Sequence, residues 1–300
     1  LDPDHKAVNN SVLYMELATD YHNTFDEKHT VSGLLAFTAR EFLDGNANTV
    51  QLSLPSRNLS LAGRFNYDYD NRYFLETNFG YNGSERFAEE NRFGFFPSFG
   101  VGWLVSNEKF FKSESISRLK FRASYGWVGN DQIGNTRNDR FFYLSEVDIN
   151  NGGRGYSFGR DLNETVNGVS ISRYANPLVT WETARKLNVG VDLNLFNDAV
   201  QFRADVFQDN RSNILQTRSD IPTTLGLQSV IQTNVGEVKL QGVDASLDIN
   251  HSFNENFWMQ GRATFVYTDN EYTVFEEPNY AELGAPWRSN IGNNVSTRQG

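Results

Sequence analysis

The residues best suited to chemistry gather in one polar stretch, 129–183, which holds Arg137, Arg140, Phe141, Phe142, Tyr143, Arg154, Tyr156 and Trp181 among Asn and Gly. Planar rings stack on sugar rings or on peptide side chains, and Arg and Asn add directional hydrogen bonds. Such a set recognises a polar ligand or a partner's surface; it does not break bonds. The same aromatic residues serve equally to fold the segment against itself. Segment 210–238, with Arg211, Arg218, Gln228 and Gln232, is a thinner version of the same idea. Asp44, Asn46 and Asn48 begin a calcium-loop spacing, but Thr49 stands where the loop needs Gly and Pro55 where it needs a bidentate Glu. No metal site or cofactor is expected. His22, His29 and His251 lie beside turns, and none comes with a nucleophile and a carboxylate in a recognisable constellation. The chain reads as a non-enzyme.

Composition sets the outer limits. The 300 residues are 39% hydrophobic and 14% aromatic, with a formal net charge of −10 and no cysteine. Length alone allows one large all-β unit or two ordinary domains. The absence of cysteine removes disulfides, thiolate catalysis and Cys-based metal sites. The acidic balance argues against nucleic acid. No run of 18 apolar residues is present, so helical membrane spans are not expected. The opening Leu1, Asp2, Pro3 and Asp4 carry no signal-peptide pattern. The expectation is a trimmed precursor or an internal piece of a longer protein.

The elements that must position these residues are strands. In 64–69, Phe65, Tyr67 and Tyr69 alternate with Arg64, Asn66 and Asp68. After Asp70 and Asn71, the residues Tyr73, Leu75, Thr77, Phe79 and Tyr81 alternate with Glu76, Asn78 and Gly80. Period two sends successive side chains to opposite faces, so the aromatic residues share one side. Asn71 suits a tight hairpin turn that requires positive φ. The rhythm recurs at 12–22, 30–40, 93–105, 118–128, 184–196, 199–209, 239–250 and 257–269. Pro97 marks a strand end or a bulge.

The charged positions Glu76, Arg118, Lys120, Arg122, Asp192, Arg203 and Asp205 fall on the face that also carries Gly and Ser, while the opposite face is nearly free of charge. A charge on a lipid face near the bilayer midplane costs about 2–4 kcal/mol, whereas an interior charge can meet water or protein. Connections alternate in length as well. The segments 23–29, 70–71, 106–117, 197–198 and 251–256 are short, and 41–56, 82–92, 129–183 and 210–238 are longer. Short turns at one end and long loops at the other is the outer-membrane arrangement, with turns in the periplasm and loops outside. The predicted fold is therefore all-β, a transmembrane antiparallel β-barrel of about ten strands here. An open edge in hydrocarbon leaves backbone groups unsatisfied, so closure is required. With no closing aromatic strand before Gly300, an interrupted chain is preferred to a complete small barrel.

Specific blocks then carry a resemblance. The run FNYDYDNRYFLETNFGYNGSERFAEENRFGFFPSFGVGW from Phe65 to Trp103 is followed by LKFRASYGWVGND at 119–131 and NPLVTWET at 176–183. LNVGVDLNLFND at 187–198 and NVGEVKLQGVDASLDIN at 234–250 complete the series. In order and spacing these blocks resemble the barrel region of SusC/RagA-type TonB-dependent outer-membrane transporters, over most of the chain.

The resemblance implies a 22-strand barrel around an N-terminal plug, energised by the TonB complex, in the outer membrane of a Gram-negative bacterium of the Bacteroidetes kind. It implies a SusD-like surface lipoprotein over the mouth and import of oligosaccharides or peptides. Residues 1–300 would then be a partial barrel domain without its plug, with extracellular loops at 41–56, 129–183 and 210–238. Arg137, Arg140, Phe141, Tyr143, Arg154, Tyr156 and Trp181 become substrate or partner candidates. Glu76, Arg118, Lys120, Arg122, Asp192, Arg203 and Asp205 become lumen residues that pack against the plug. Partners would be the lipoprotein, the TonB complex, the rest of the barrel and its plug, the cargo and outer-membrane lipid, with no nucleic acid. A passive porin and a soluble structural or adhesive β-protein are the rival classes.

Overall fold

The computed structural model describes residues 9–47, 50–134, 141–254 and 257–295. Twelve strands are present among them: β1 (Asn10–Phe25), β2 (His29–Asp44), β3 (Ser56–Tyr69), β4 (Tyr73–Ser84), β5 (Phe93–Leu104), β6 (Ile116–Asn130), β7 (Glu146–Phe158), β8 (Glu164–Arg173), β9 (Glu182–Leu195), β10 (Val200–Thr217), β11 (Gln232–Asn254) and β12 (Phe257–Val274). Ten form one antiparallel sheet in the order β1-β2-β3-β4-β5-β6-β9-β10-β11-β12, and β7 and β8 form a separate hairpin between β6 and β9.

The sheet is not closed, which overturns the expected transmembrane antiparallel β-barrel. Among the described residues β1 pairs only with β2, and β12 pairs with β11 and makes a single parallel bridge from Tyr272 to Ile291. Alternation is a local property that assigns faces. Closure depends on ladder bonds between the first and last strands, and those two strands do not meet.

Register joins the faces from strand to strand. Val101 pairs with Ala123, Ala123 with Val189, Val189 with Val206, Val206 with Val243 and Val243 with Tyr267. This apolar row crosses six of the sheet's ten strands, and most of it is exposed: Val101 55%, Val189 51%, Val206 59% and Tyr267 61%. One residue along each strand, the other face carries Arg122, Gly190, Asp205 and Asp244 in matching positions. A one-residue slip of any strand would exchange these two surfaces, which is why the pattern pins the register.

The short connections need left-handed backbone. Asp70 and Asn71 adopt φ 54° and 50° between β3 and β4, where short polar side chains soften the usual penalty by bonding locally. Asp68 Oδ1 accepts the Asn71 N–H at 2.8 Å, and the Arg72 N–H donates to the Tyr69 carbonyl at 3.0 Å. The turn thus takes in Arg72 besides the expected 70–71. Phe196, Asn197 and Asp198 are also left-handed between β9 and β10; there Asp198 Oδ1 accepts Asn194 Nδ2 at 2.8 Å and the Ser117 hydroxyl at 2.9 Å.

At this end His29 Nδ1 lies 2.7 Å from the Tyr67 hydroxyl and its ring 5.0 Å from that of Tyr69. Arg72 lies over the rings of Tyr69 and Tyr73 and pairs with Glu108 at 3.1 Å. Hydrogen bonds from Tyr73 and the Trp103 indole hold the Glu108 carboxyl below its ordinary range, against the opposing effect of desolvation.

The other end holds the longer connections. Segment 129–183 is not wholly loop, since it contains β7 and β8, and β10 runs on to Thr217 while β11 starts at Gln232. Register shifts around Ile214, and among Asp148, Asn151 and Tyr156 in the hairpin, break the strict alternation that marks a strand in sequence.

Candidate functional site

On the charged face, Arg122 of β6 stands opposite Gly190 of β9, which stands opposite Asp205 of β10. The guanidinium reaches over β9: Nη2 lies 2.9 Å from Asp205 Oδ2 and 3.1 Å from Asp192 Oδ1, and Nε donates to Asp192 at 3.2 Å. A Cβ at Gly190 would overlap Asp205 Oδ1 and stand 2.8 Å from Arg122 Nη2. Glycine here is what lets one cation tie three strands together.

Gly190→Val is therefore expected to break the bridge. The Arg122 side chain is 34% exposed, so the loss falls below that of a fully buried pair, at about 2 kcal/mol. Urea unfolding in detergent measures it. The same substitution in an Asp205→Asn background should cost markedly less, and equal costs in both backgrounds would remove the bridge as the cause.

The other predicted interior residues share this face. The Lys120 ammonium lies 4.3 Å from the centre of the Phe74 ring, a cation–π contact, and Lys120 pairs in register with Asp192. Glu76 accepts Asn78 Nδ2 at 2.7 Å. Arg118 and Arg203 are exposed, and the latter stands opposite Asp192 across the β9–β10 ladder. Glu76, Gly100, Lys120, Arg122 and Asn188 help to line a cavity of about 420 Å³ on the face. The arrangement offers charge-assisted hydrogen bonds and ion pairs, with no group poised for covalent chemistry.

The loop candidates divide by burial. Trp181 and Phe141 are buried. Trp181 packs with its ring 5.3 Å from those of both Phe87, at a tilt, and Phe96, edge-on, within a cluster that includes Ile133, Phe142 and Val179. Phe96 reaches this cluster across Gly129, where a Cβ would overlap its ring. Tyr143 is half-buried and donates to the Glu85 carbonyl at 3.4 Å. Arg154 and Tyr156 are exposed on β7. Arg137 and Arg140 lie outside the described residues.

Hydrogen bonds knit the connections to one another. Asn234 Nδ2 donates to the carbonyls of Thr180 and Asn213 at 3.0 and 2.7 Å, and Asn176 Nδ2 donates to the Gln232 carbonyl at 2.8 Å. Gln228 Oε1 accepts the Ile171 N–H at 2.8 Å, tying segment 218–231 to the hairpin. In the calcium-like stretch, Asp44 Oδ1 accepts the Asn46 N–H at 3.0 Å, a local turn bond, and Asn48 lies outside the described residues. Sequence reasoning missed the Glu108 clasp and the position of Arg40 on the charged face. The first has no periodic signal; the second follows from register, which sets Arg40 opposite Asn58 of β3 and Tyr14 of β1, while its neighbour two residues on, Phe42, gives no polar signal for that face.

A family model described as TonB dependent receptor-like, beta-barrel matches residues 10–297. TonB-dependent receptor P39 of Formosa agariphila is 30% identical over 295 residues, spanning 88% of this chain and 26% of that protein. TonB-dependent receptor SusC of Bacteroides thetaiotaomicron is 28% identical over 255 residues, spanning 83% and 24% respectively. The chain thus spans about a quarter of the length of these curated relatives. Among solved structures, the RagAB peptide importer in its closed-closed state superposes with a TM-score of 0.72 at 26% identity, over 90% of this chain and 31% of that one. The siderophore receptor PirA of Acinetobacter baumannii shares the fold, with a TM-score of 0.56 at 10% identity, over 93% of this chain and 39% of that one.

Proposed function

Because the chain belongs to the TonB-dependent receptor-like β-barrel family, as part of its barrel region, we propose that it forms a section of the wall of an importer for oligosaccharides or peptides. The family is one of outer-membrane receptors, not enzymes. One observation carries the proposal: a ten-stranded antiparallel sheet exposes a continuous apolar row on one face and an ion-paired charged row on the other. A soluble protein rarely leaves so large an apolar surface uncovered. Lipid covers it at no cost.

The charged face then turns inward, toward the plug. Buried Asp205 Oδ1 and Asp209 Oδ1 lack hydrogen-bond partners among the described residues, and an unmet buried acceptor costs about 1–3 kcal/mol. The other oxygen of each carboxylate is ion-paired, Asp205 Oδ2 with Arg122 and Asp209 Oδ2 with Lys186 and Arg211. The short turns lie in the periplasm. The longer connections, which the strand ends bound at 45–55, 131–181 and 218–231, lie outside with the β7–β8 hairpin, beneath a SusD-like lipoprotein. The likeness to a structure described as a peptide importer supports peptides as one cargo class. Arg154 and Tyr156 are exposed on the hairpin and supply guanidinium and ring contacts suited to either class.

Transport is driven by TonB acting on the plug, with capture by the loops and no covalent step. Cells that express the full-length receptor should accumulate labelled oligosaccharide or peptide, and deletion of TonB should abolish accumulation. Undiminished uptake without TonB would identify a passive pore and end this reading.

A further inference from the structure

A second cavity, of about 620 Å³, opens on the charged face at the long-connection end, bounded by β1, β2, β3 and the segment after β6. Tyr14, Arg40, Phe42, Asn58 and Asp131 are among the residues that line it. Arg40 and Phe42 share a face because they are two apart on β2, and Tyr14 pairs with Arg40 in the β1–β2 register. Both lining carboxylates are already engaged. Asp44 Oδ1 accepts the Asn46 N–H at 3.0 Å, and Asp131 Oδ2 accepts the Ser84 hydroxyl at 2.7 Å and Asn58 Nδ2 at 3.2 Å.

Arg40 is different. It is exposed and has neither a hydrogen bond nor an ion pair among the described residues. By contrast, Arg57, at the same end of β3, is paired with Glu41 at 2.6 Å. A guanidinium is a planar fork of donors matched to the two oxygens of a carboxylate. Arg86 adds a second positive charge to the lining, and Tyr14 and Phe42 place rings beside the fork for a sugar ring or an apolar side chain to lie on.

We propose that this cavity is a binding site for a carboxylate-bearing oligomer, with Arg40 as the residue that selects the acidic group. The carboxylate can belong to a uronic acid or to an acidic side chain, and the cavity's chemistry is the same for both. The inference deepens the import reading and rests on it in one respect only, that the long-connection end of the charged face, where this cavity lies, is the outer side that meets cargo before the plug.

The test is calorimetric titration of the purified full-length receptor in detergent. Probes are tri-galacturonic acid against maltotriose, and acetylated, amidated triglutamate against its triglutamine counterpart. One acidic probe should bind about tenfold tighter than its neutral counterpart, and which one does so identifies the source of the carboxylate. Arg40→Gln should abolish that preference while leaving the melting temperature unchanged, and Arg40→Lys should restore part of it, because charge returns without the fork. Absence of binding, equal affinity for acidic and neutral probes, or a preference that survives Arg40→Gln would each overturn the proposal. TonB plays no part in the titration, so a failed uptake assay and a failed carboxylate preference are separate results.

Discussion

Trp181→Ala is expected to loosen the long-connection end while leaving the sheet intact. The indole bridges Phe87, which follows β4, and Phe96 on β5, and it belongs to the same buried cluster as Ile133, Phe142 and Val179. Truncating a buried Trp costs about 3–5 kcal/mol, from lost transfer energy plus the cavity left behind. That is a large fraction of the stability of such a region, because the sheet's apolar face does not contribute a conventional core. Hydrogen exchange and limited proteolysis across 131–181 and 218–231 read the effect directly, while protection in β3–β6 should remain. Trp181→Phe should be nearly harmless by comparison. The indole N–H is buried with no hydrogen-bond partner among the described residues, so replacement loses no hydrogen bond and keeps an aromatic contact. Unchanged protection in Trp181→Ala would mean that hydrogen bonds such as those of Asn234 hold the connections without the cluster.

The second large effect separates the two faces of one strand. Val189→Arg, near the middle of β9 on the exposed apolar row, is expected to cost about 2–4 kcal/mol in a bilayer. Asn188→Arg, one residue away on the charged face, should cost little, since Asn188 stands opposite Ser124 in register and lines the same cavity as Glu76 and Lys120. Urea titration of the receptor folded into lipid vesicles gives both values, and the amount of folded protein in the outer membrane gives an independent ranking. Equal penalties at the two positions would show that the assignment of lipid and interior faces is wrong. The contrast needs lipid. In detergent the Val189→Arg penalty should shrink, because a micelle deforms around a charge more readily than a bilayer does.

Much of the wall was legible from local pattern. The β3–β4 pair could be read from Phe65, Tyr67 and Tyr69 against Tyr73, Leu75 and Thr77, because each side chain's face follows from its neighbour's. The left-handed turn was legible in Asn71, although Asp70 shares it and Arg72 extends it. The charged set from Glu76 to Asp205 shares one face, as alternation predicts, yet which members touch was not legible. Arg122 and Asp205 are brought together only because β6 and β10 flank β9 with Gly190 between them.

The hairpin β7–β8 was hidden for the opposite reason. Its irregular register and its Asn and Gly content erase the period that would mark it. Trp181 offered ring chemistry in sequence and proves to be buried, since whether a ring is exposed depends on what packs over it from Phe87 and Phe96.

The sequence by itself determined a two-faced antiparallel sheet with turns and long connections at opposite ends, and its blocks carried the family. These properties are local, set by side-chain alternation and turn chemistry along a few residues at a time. Only the tertiary structure decided that the ten strands remain open, that Arg122 bridges three of them, that Trp181 is buried and that Arg40 faces a cavity with its donors unmet. Each of those depends on which distant residues become neighbours, and the period of a strand does not encode that.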